Sequence, residues 1–191
     1  MAHGHIVLIF GPSGSGKGTL VRMLREARPD LVYAASYTTR APRPGESQGE
    51  PYFFKSHEEF QAHIDAGDML EWAQYSGNHY GTARAPLLEP VADGKIALKE
   101  MEVQGIEIVL RELPRELVKL VYIDAGSWEE LRARIEARHP MDEAELAERK
   151  AHYDVEVAWR DRADVVINNH DGTVEDACDQ LVAFVDSLKV G

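Results

Sequence analysis

Residues 11–19 of this 191-residue chain read Gly11-Pro12-Ser13-Gly14-Ser15-Gly16-Lys17-Gly18-Thr19, a G-x-x-x-x-G-K pattern. Its flanks restrict the fold more than any other stretch. Residues 6–10 are an unbroken aliphatic and aromatic run, as expected of a strand covered on both faces of a parallel sheet. From 17 to 28 the apolar positions Leu20, Val21, Leu24 and Ala27 recur at helical spacing, and Pro29 marks the exit. In a strand–turn–helix unit of this kind, the glycines let successive backbone N–H groups converge on a β-phosphate. The helix N-terminus adds its positive end, and the Lys17 ammonium reaches the β and γ oxygens. Ser13, Ser15 and Thr19 can add hydroxyl donors. Gly18 stands where related phosphate loops place a magnesium-binding Ser or Thr, so Mg²⁺ is expected to be held mainly by phosphates and water, with Thr19 as a helper.

The alternation of strand and helix recurs along the chain. Residues 96–101 read as a strand, 103–113 as a helix and 118–123 as a strand; Ser127 with Glu130 opens a capped helix to about 138, and a second helix spans 142–159. A strand at 164–168 and a helix at 173–188 close the chain, which predicts an α/β fold with a parallel core sheet. Residues 33–83 break the rhythm with a Pro/Gly-rich stretch, a helix capped by Ser56 and Glu59, and aromatic strands near 52–54 and 70–75. They read as an inserted α+β lobe in a single domain.

Composition excludes several classes. With 33 acidic against 21 basic side chains the net charge is −12, which argues against a general nucleic-acid or anionic-membrane binder. The basic residues gather near the start, where 1–45 carry six Lys/Arg against two Asp/Glu. A lone cysteine, Cys178, offers no internal disulfide, and the eight histidines form no zinc pattern. No metal-ligand set is read from the sequence. No segment approaches the ~20 apolar residues of a membrane span, and the first residues lack a signal-peptide start, so a cytoplasmic protein is expected. Oligomeric state is left open between monomer and homodimer.

The phosphate loop is followed in order by Ser36-Tyr-Thr-Thr-Arg40-Ala-Pro-Arg43-Pro-Gly-Glu46, Tyr52-Phe-Phe, Leu70-Glu71-Trp72 and Asn78-His-Tyr80-Gly81-Thr82. With these motifs the chain closely resembles guanylate kinases over about residues 6–169. The resemblance implies a three-layer P-loop NTPase fold, with a core (1–34, 84–126, 160–191), a GMP-binding lobe (35–83) and a helical lid (127–159). It implies Mg²⁺-dependent transfer of the ATP γ-phosphate to GMP, and by extension dGMP. ATP is expected on residues 11–19, with the adenine near Asn168. GMP is expected on Ser36, Arg40, Arg43, Glu46, Tyr52, Glu71, Tyr80, Gly81, Thr82, Glu100 and Glu102, and catalysis from Lys17 with the lid residues Arg134, Arg138 and Arg149.

Residue chemistry runs the same way. Arg40 and Arg43 can offer two guanidinium forks to one phosphate, and Tyr52 and Tyr80 can donate phenolic hydroxyls to it. Guanine presents N1–H and N2–H₂ donors beside the O6 acceptor, so a carboxylate and a hydroxyl, the roles implied for Glu71 and Ser36, would select it. Glu100 and Glu102 project to one face, for nucleotide contacts or a magnesium water shell. Lys99 departs from the apolar residue the resemblance implies there and could pair with a neighbouring acid. Arg134 and Arg138, four apart on a helix, fit either an anionic visitor or a salt-bridged outer face with Glu130. Two other readings are a catalytically silent protein-binding module of the same fold and a kinase with another acceptor. The intact loop weighs against the first, Ser36 and Glu71 against the second.

Overall fold

A computed structural model describes residues 4–75, 77–137, 141–170 and 174–188. Ten strands and seven helices are found among them: β1 His5–Phe10, α1 Lys17–Ala27, β2 Val32–Tyr33, β3 Ser36–Thr38, β4 Ser47–Gln48, β5 Pro51–Phe54, α2 His57–Asp65, β6 Met69–Tyr75, β7 Asn78–Ala83, α3 Arg84–Ala92, β8 Ile96–Glu100, α4 Val103–Glu112, β9 Val118–Asp124, α5 Trp128–Glu136, α6 Glu143–Ala158, β10 Val165–Asn168 and α7 Val174–Ser187. The strands form two sheets. The core sheet has the order β10-β9-β1-β8-β2 and is parallel throughout; the second, β4-β5-β3-β7-β6, is mixed.

β1 runs through the middle of the core sheet, between β8 and β9. Its side chains alternate between two apolar clusters, as a pleated strand requires. Ile6, Leu8 and Phe10 pack with Leu87 and Val91 of α3 and with Ile106 and Val109 of α4. Val7 and Ile9 pack on the opposite face with Leu20 and Leu24 of α1 and Leu181 and Val185 of α7. A strand buried on both faces has no polar alternation, which is what its sequence shows. Among the described residues no helix is long and apolar enough to cross a membrane.

The second sheet is built from residues between Ser36 and Ala83, with α2 laid on it through Phe60. The α2 and α5 starts carry the full reciprocal capping box at Ser56/Glu59 and Ser127/Glu130. Elements that sequence patterning passes over are also local in cause. α3 holds Pro86 and Pro90; the first sits in the opening turn, where no hydrogen bond is lost, and the second lies two residues from the end. β7 has no period-two apolar alternation, and β2 and β3 are too short to show one.

Among the described residues, the buried polar side chains are Ser15, Arg28, Thr38, Thr82 and Lys99. Arg28 is paired with Asp30 and Asp186, and Thr38 donates to the His79 carbonyl. Lys99 is the costly one. It sits in the middle of the core sheet at 2% exposure, and its Nζ donates to the Ala34 carbonyl (3.1 Å) and the Ser36 hydroxyl (2.7 Å) rather than to an acid. The sequence-based pairing with a neighbouring carboxylate is thus replaced by neutral acceptors. Burial pushes the Lys99 ammonium down to about 8, against the weaker pull of Glu71 and Glu100.

The sign of the consequence follows from proton counting. Between about pH 8 and the ordinary lysine value of 10.5 the unfolded chain holds a proton that the folded chain has released, so stability rises with pH across that window; below it the full penalty applies. Lys99→Met, of similar length and apolar, is therefore expected to be about 1–4 kcal/mol more stable than wild type at pH 7. Urea melts from pH 6 to 11 check this. A Met variant less stable at neutral pH would contradict a buried, uncompensated charge.

Candidate functional site

The site forms where parallel strands end. The phosphate loop leaves the carboxyl end of β1, Glu100 ends β8 beside it, and Asn169 follows the last residue of β10. Clefts of α/β sheets open at such ends, outside the point where neighbouring connections diverge. The loop's glycines permit its path: Gly11, Gly14 and Gly16 have positive φ. Gly16 also has no room for a side chain, since a Cβ would lie 2.5 Å from Asn169 Nδ2.

Lys17 Nζ donates to the Gly11 carbonyl and, at 3.0 Å, to the Pro12 carbonyl. Burial lowers its proton affinity; Glu156, Glu100 and Glu102 raise it in return. Ser15 Oγ is buried with no hydrogen-bond partner among the described residues, and Ser13 and Thr19 lie exposed at the loop mouth. A Cβ at Gly18 would meet nothing within 4 Å, so the missing hydroxyl there is a matter of sequence and not of space.

Helices α5 and α6 reach this loop from the other side. Arg149 Nη1 donates to Ser13 Oγ at 2.6 Å, and Arg134 Nη1 donates to the Asn169 carbonyl at 3.2 Å. Arg138 lies outside the described residues. Asn168 ends β10 exposed, whereas the side chain of Asn169 turns onto the loop, its Nδ2 donating to the Ser15 carbonyl at 2.7 Å. Asn169 thus braces the phosphate loop, a contact separate from the adenine contact expected of Asn168.

In the lobe, Arg40 is held on three sides. Its guanidinium donates to the Ala41 carbonyl (2.8 Å), pairs with Glu46 (3.0 Å), and lies over the rings of Tyr52 and Phe54 at 5.4 and 5.6 Å. Glu46 also accepts the Arg43 backbone N–H at 2.7 Å. Those bonds, Arg40 first, hold the Glu46 carboxyl below its ordinary range. Glu46 thus supports the arginine turn and faces Arg40 in this structure, where the sequence reading had placed it on the ligand. Tyr52 and Tyr80 meet edge to face at 5.9 Å.

Across the lobe sheet Glu71 is registered opposite Thr82, and the Thr82 hydroxyl donates to its carboxylate. Gly81 lies against this pair, where a Cβ would come 2.6 Å from the Glu71 carbonyl. Ser36, at the start of β3, is anchored by Lys99. Ser36, Glu71, Tyr52, Tyr80 and Thr82 all line one cleft of about 630 Å³, together with Lys99, Glu100 and Glu102 of the core and Glu148 and His152 of α6. Its walls thus come from both sheets, from the start of α4 and from α6, which also reaches the phosphate loop through Arg149. Glu100 ends β8 and Glu102 is the N-cap of α4, so they do not share one strand. Both still act on Lys17.

Two contributors were invisible to sequence reasoning. Asn169 was masked by the adjacent asparagine. Glu156, near the end of α6, was passed over as an ordinary helix acid; burial, with Glu102 adding to it, pushes it up to about 7 although Lys17 pulls it down. Its Oε2 is buried without a hydrogen-bond partner among the described residues. Among those residues no group of three His, Cys, Asp or Glu is placed to hold a metal ion directly.

The arrangement can bind phosphate groups at the β1 turn and a second ligand with donors and an acceptor on one edge in the adjoining lobe. Comparison with known proteins agrees. The family model described as guanylate kinase matches residues 3–188. A guanylate kinase of Nocardia farcinica is 42% identical over 183 residues, covering 95% of this chain and 93% of its own. One of Rubrobacter xylanophilus is 40% identical over 191 residues, covering 100% and 98%. The crystal structure of guanylate kinase from Anaplasma phagocytophilum superposes with a TM-score of 0.74 at 27% identity, covering 100% of this chain and 89% of that one. The family model matched over residues 3–188 and relatives at 40–42% identity over nearly the whole chain show that it belongs to the guanylate kinase family.

Proposed function

We propose that this chain transfers the γ-phosphate of ATP to GMP, reversibly, giving ADP and GDP. One observation carries the reading: a hydroxyl and a carboxylate, Ser36 and Glu71, line a cleft whose core wall, Glu100 and Glu102, also acts on the phosphate-loop Lys17. Guanine fits between the two lobe groups, with O6 toward Ser36 and N1–H and N2–H₂ toward Glu71. Thr82 leaves the second carboxylate oxygen of Glu71 free for those donors. Arg40, Arg43, Tyr52 and Tyr80 receive the GMP phosphate, with Glu46 holding Arg40 in place. dGMP serves as a second acceptor, because none of these groups is assigned to the 2′-hydroxyl.

ATP lies on residues 11–19, its phosphates replacing the loop carbonyls as partners of Lys17. Asn168, exposed at the end of β10, is assigned to the adenine, Asn169 braces the phosphate loop, and Arg134, Arg138 and Arg149 close over the phosphates from the lid, 127–159. The core is 1–34, 84–126 and 160–191, and the lobe 35–83. The strands of the second sheet, all within 36–83, support that division. The single cysteine and the acidic charge suit a cytoplasmic setting.

A family of this kind needs a divalent metal, and Mg²⁺ is the proposed ion. It favours oxygen ligands and keeps several waters, so it arrives on ATP. When bound, it neutralises charge on the β and γ oxygens. The protein's own part is alignment and charge. A phosphate monoester has its second pKa near ~6, so the acceptor oxygen is already ionised at neutral pH and no general base is required. Lys17 and the lid arginines stabilise charge spread over the group in flight.

A coupled assay of ADP release with GMP, dGMP, AMP, UMP and CMP tests the assignment: turnover is expected with the two guanine nucleotides, and none with GMP would leave only a binding role. Lys17→Ala is expected to lower kcat by at least 10²–10³-fold, with an unchanged thermal melt. Glu71→Gln should erode preference for GMP over AMP by roughly 10²-fold, since the amide can no longer accept from both guanine donors. A Gln variant with wild-type preference would remove Glu71 from the base site.

A further inference from the structure

Lys99 is the buried charge that nothing assigned above requires. It lies on β8, registered opposite Leu8 of β1, with Ala97 and Met101 of the same strand face packed into the apolar core. An apolar side chain would fill this position without a desolvation cost, and hydrogen bonds to two neutral oxygens do not restore what burying the charge loses. A residue retained against stability in the wall of a ligand cleft is best explained by what it does to the ligand.

Hydrogen-bond direction supplies the role. An ammonium has three donors and no acceptor, and Lys99 spends two of them on the Ala34 carbonyl and on Ser36 Oγ. Ser36 therefore cannot donate back to Lys99. One hydroxyl lone pair is taken, and the hydroxyl proton must go elsewhere. Both residues line the cleft, so the open direction is toward its occupant. We propose that Lys99 sets which purines this lobe accepts, by committing the Ser36 hydroxyl to donate to a 6-oxo group and placing a positive charge behind that oxygen.

The charge pattern fits the same ligand edge. The cation lies behind Ser36, and the Glu71 carboxylate acts on Lys99 through space from across the same cleft. A 6-oxopurine, with its negative oxygen on one side and N–H donors on the other, matches this field. A 6-aminopurine opposes it. Its amino group would compete for the one remaining Ser36 lone pair, face the ammonium, and leave the hydroxyl proton without an acceptor. Lys99 acts through Ser36 and is a positioning residue for base choice.

The inference rests on the GMP reading above, and its test separates the two. Dissociation constants are measured by calorimetry for GMP, for IMP, which keeps O6 but lacks the 2-amino group, and for 6-thio-GMP, which keeps both donors but replaces O6 with a poor acceptor. Wild type is expected to prefer GMP to 6-thio-GMP. In Lys99→Met that preference should fall about tenfold, the scale of one charge-supported hydrogen bond, while the ratio of GMP to IMP stays as in wild type. Ser36→Ala should lose the same preference, and adding Lys99→Met to it should change little further. Lys99→Leu gives a second reading should the Met variant not fold, and thermal melts report folding for each. Equal weakening of all three ligands, or none, would reduce Lys99 to a structural role while leaving the GMP reading intact. A wild-type protein that neither binds nor phosphorylates GMP would overturn both.

Discussion

Everything in this molecule is hung on the point where β1 ends. A strand buried on both faces must leave the sheet through a turn that keeps its backbone amides available, and glycines with positive φ make that turn possible at Gly11, Gly14 and Gly16. The chain then enters α1 directly, so unpaired N–H groups of the helix start face the same hollow. The rest of the site is arranged around this turn: β8 ends beside it, Asn169 buttresses it after β10, α6 reaches it through Arg149, and α5 holds Asn169 through Arg134. A change in the register of β1 would displace all of them together.

What sequence made legible was whatever is specified within a few residues. The β1–turn–α1 unit, the capping boxes at Ser56 and Ser127, and the amphipathic face of α4 are each written in spacing, and each is found where the spacing puts it. Short lobe strands were not, because β3, β4 and β7 depend on partners across the sheet and not on their own pattern. α3 was hidden by two prolines, Pro86 in its opening turn and Pro90 inside the helix, where a proline ordinarily argues against one.

The site divides along the same line. Motif residues of the loop and lobe could be named, but their partners could not. That Glu46 turns to Arg40, that Thr82 holds Glu71, and that Lys99 reaches Ser36 across 63 residues of chain are tertiary facts. Asn168 and Asn169 are chemically identical neighbours, and only the path of the chain beyond β10 decides which one meets the loop. Glu156 shows the same limit: its proton affinity is set by burial, which no local pattern records.

Even at its phosphate loop this chain of net −12 keeps its own acids close: Glu156, Glu100 and Glu102 all act on Lys17. The ammonium is held by the Gly11 and Pro12 carbonyls, and Glu156, Glu100 and Glu102 favour its charged form, so the half-buried cation is not stranded. On the function proposed above, phosphate oxygens would offer the same ammonium charged acceptors in place of neutral carbonyls, and charge-assisted hydrogen bonds are the stronger kind. In the lobe Arg40 is held differently, by the charged carboxylate of Glu46 and by the rings of Tyr52 and Phe54 beneath its guanidinium. Both cations are therefore positioned by groups of the protein itself, carbonyl oxygens at Lys17 and a carboxylate at Arg40, so neither depends on a ligand to hold its place.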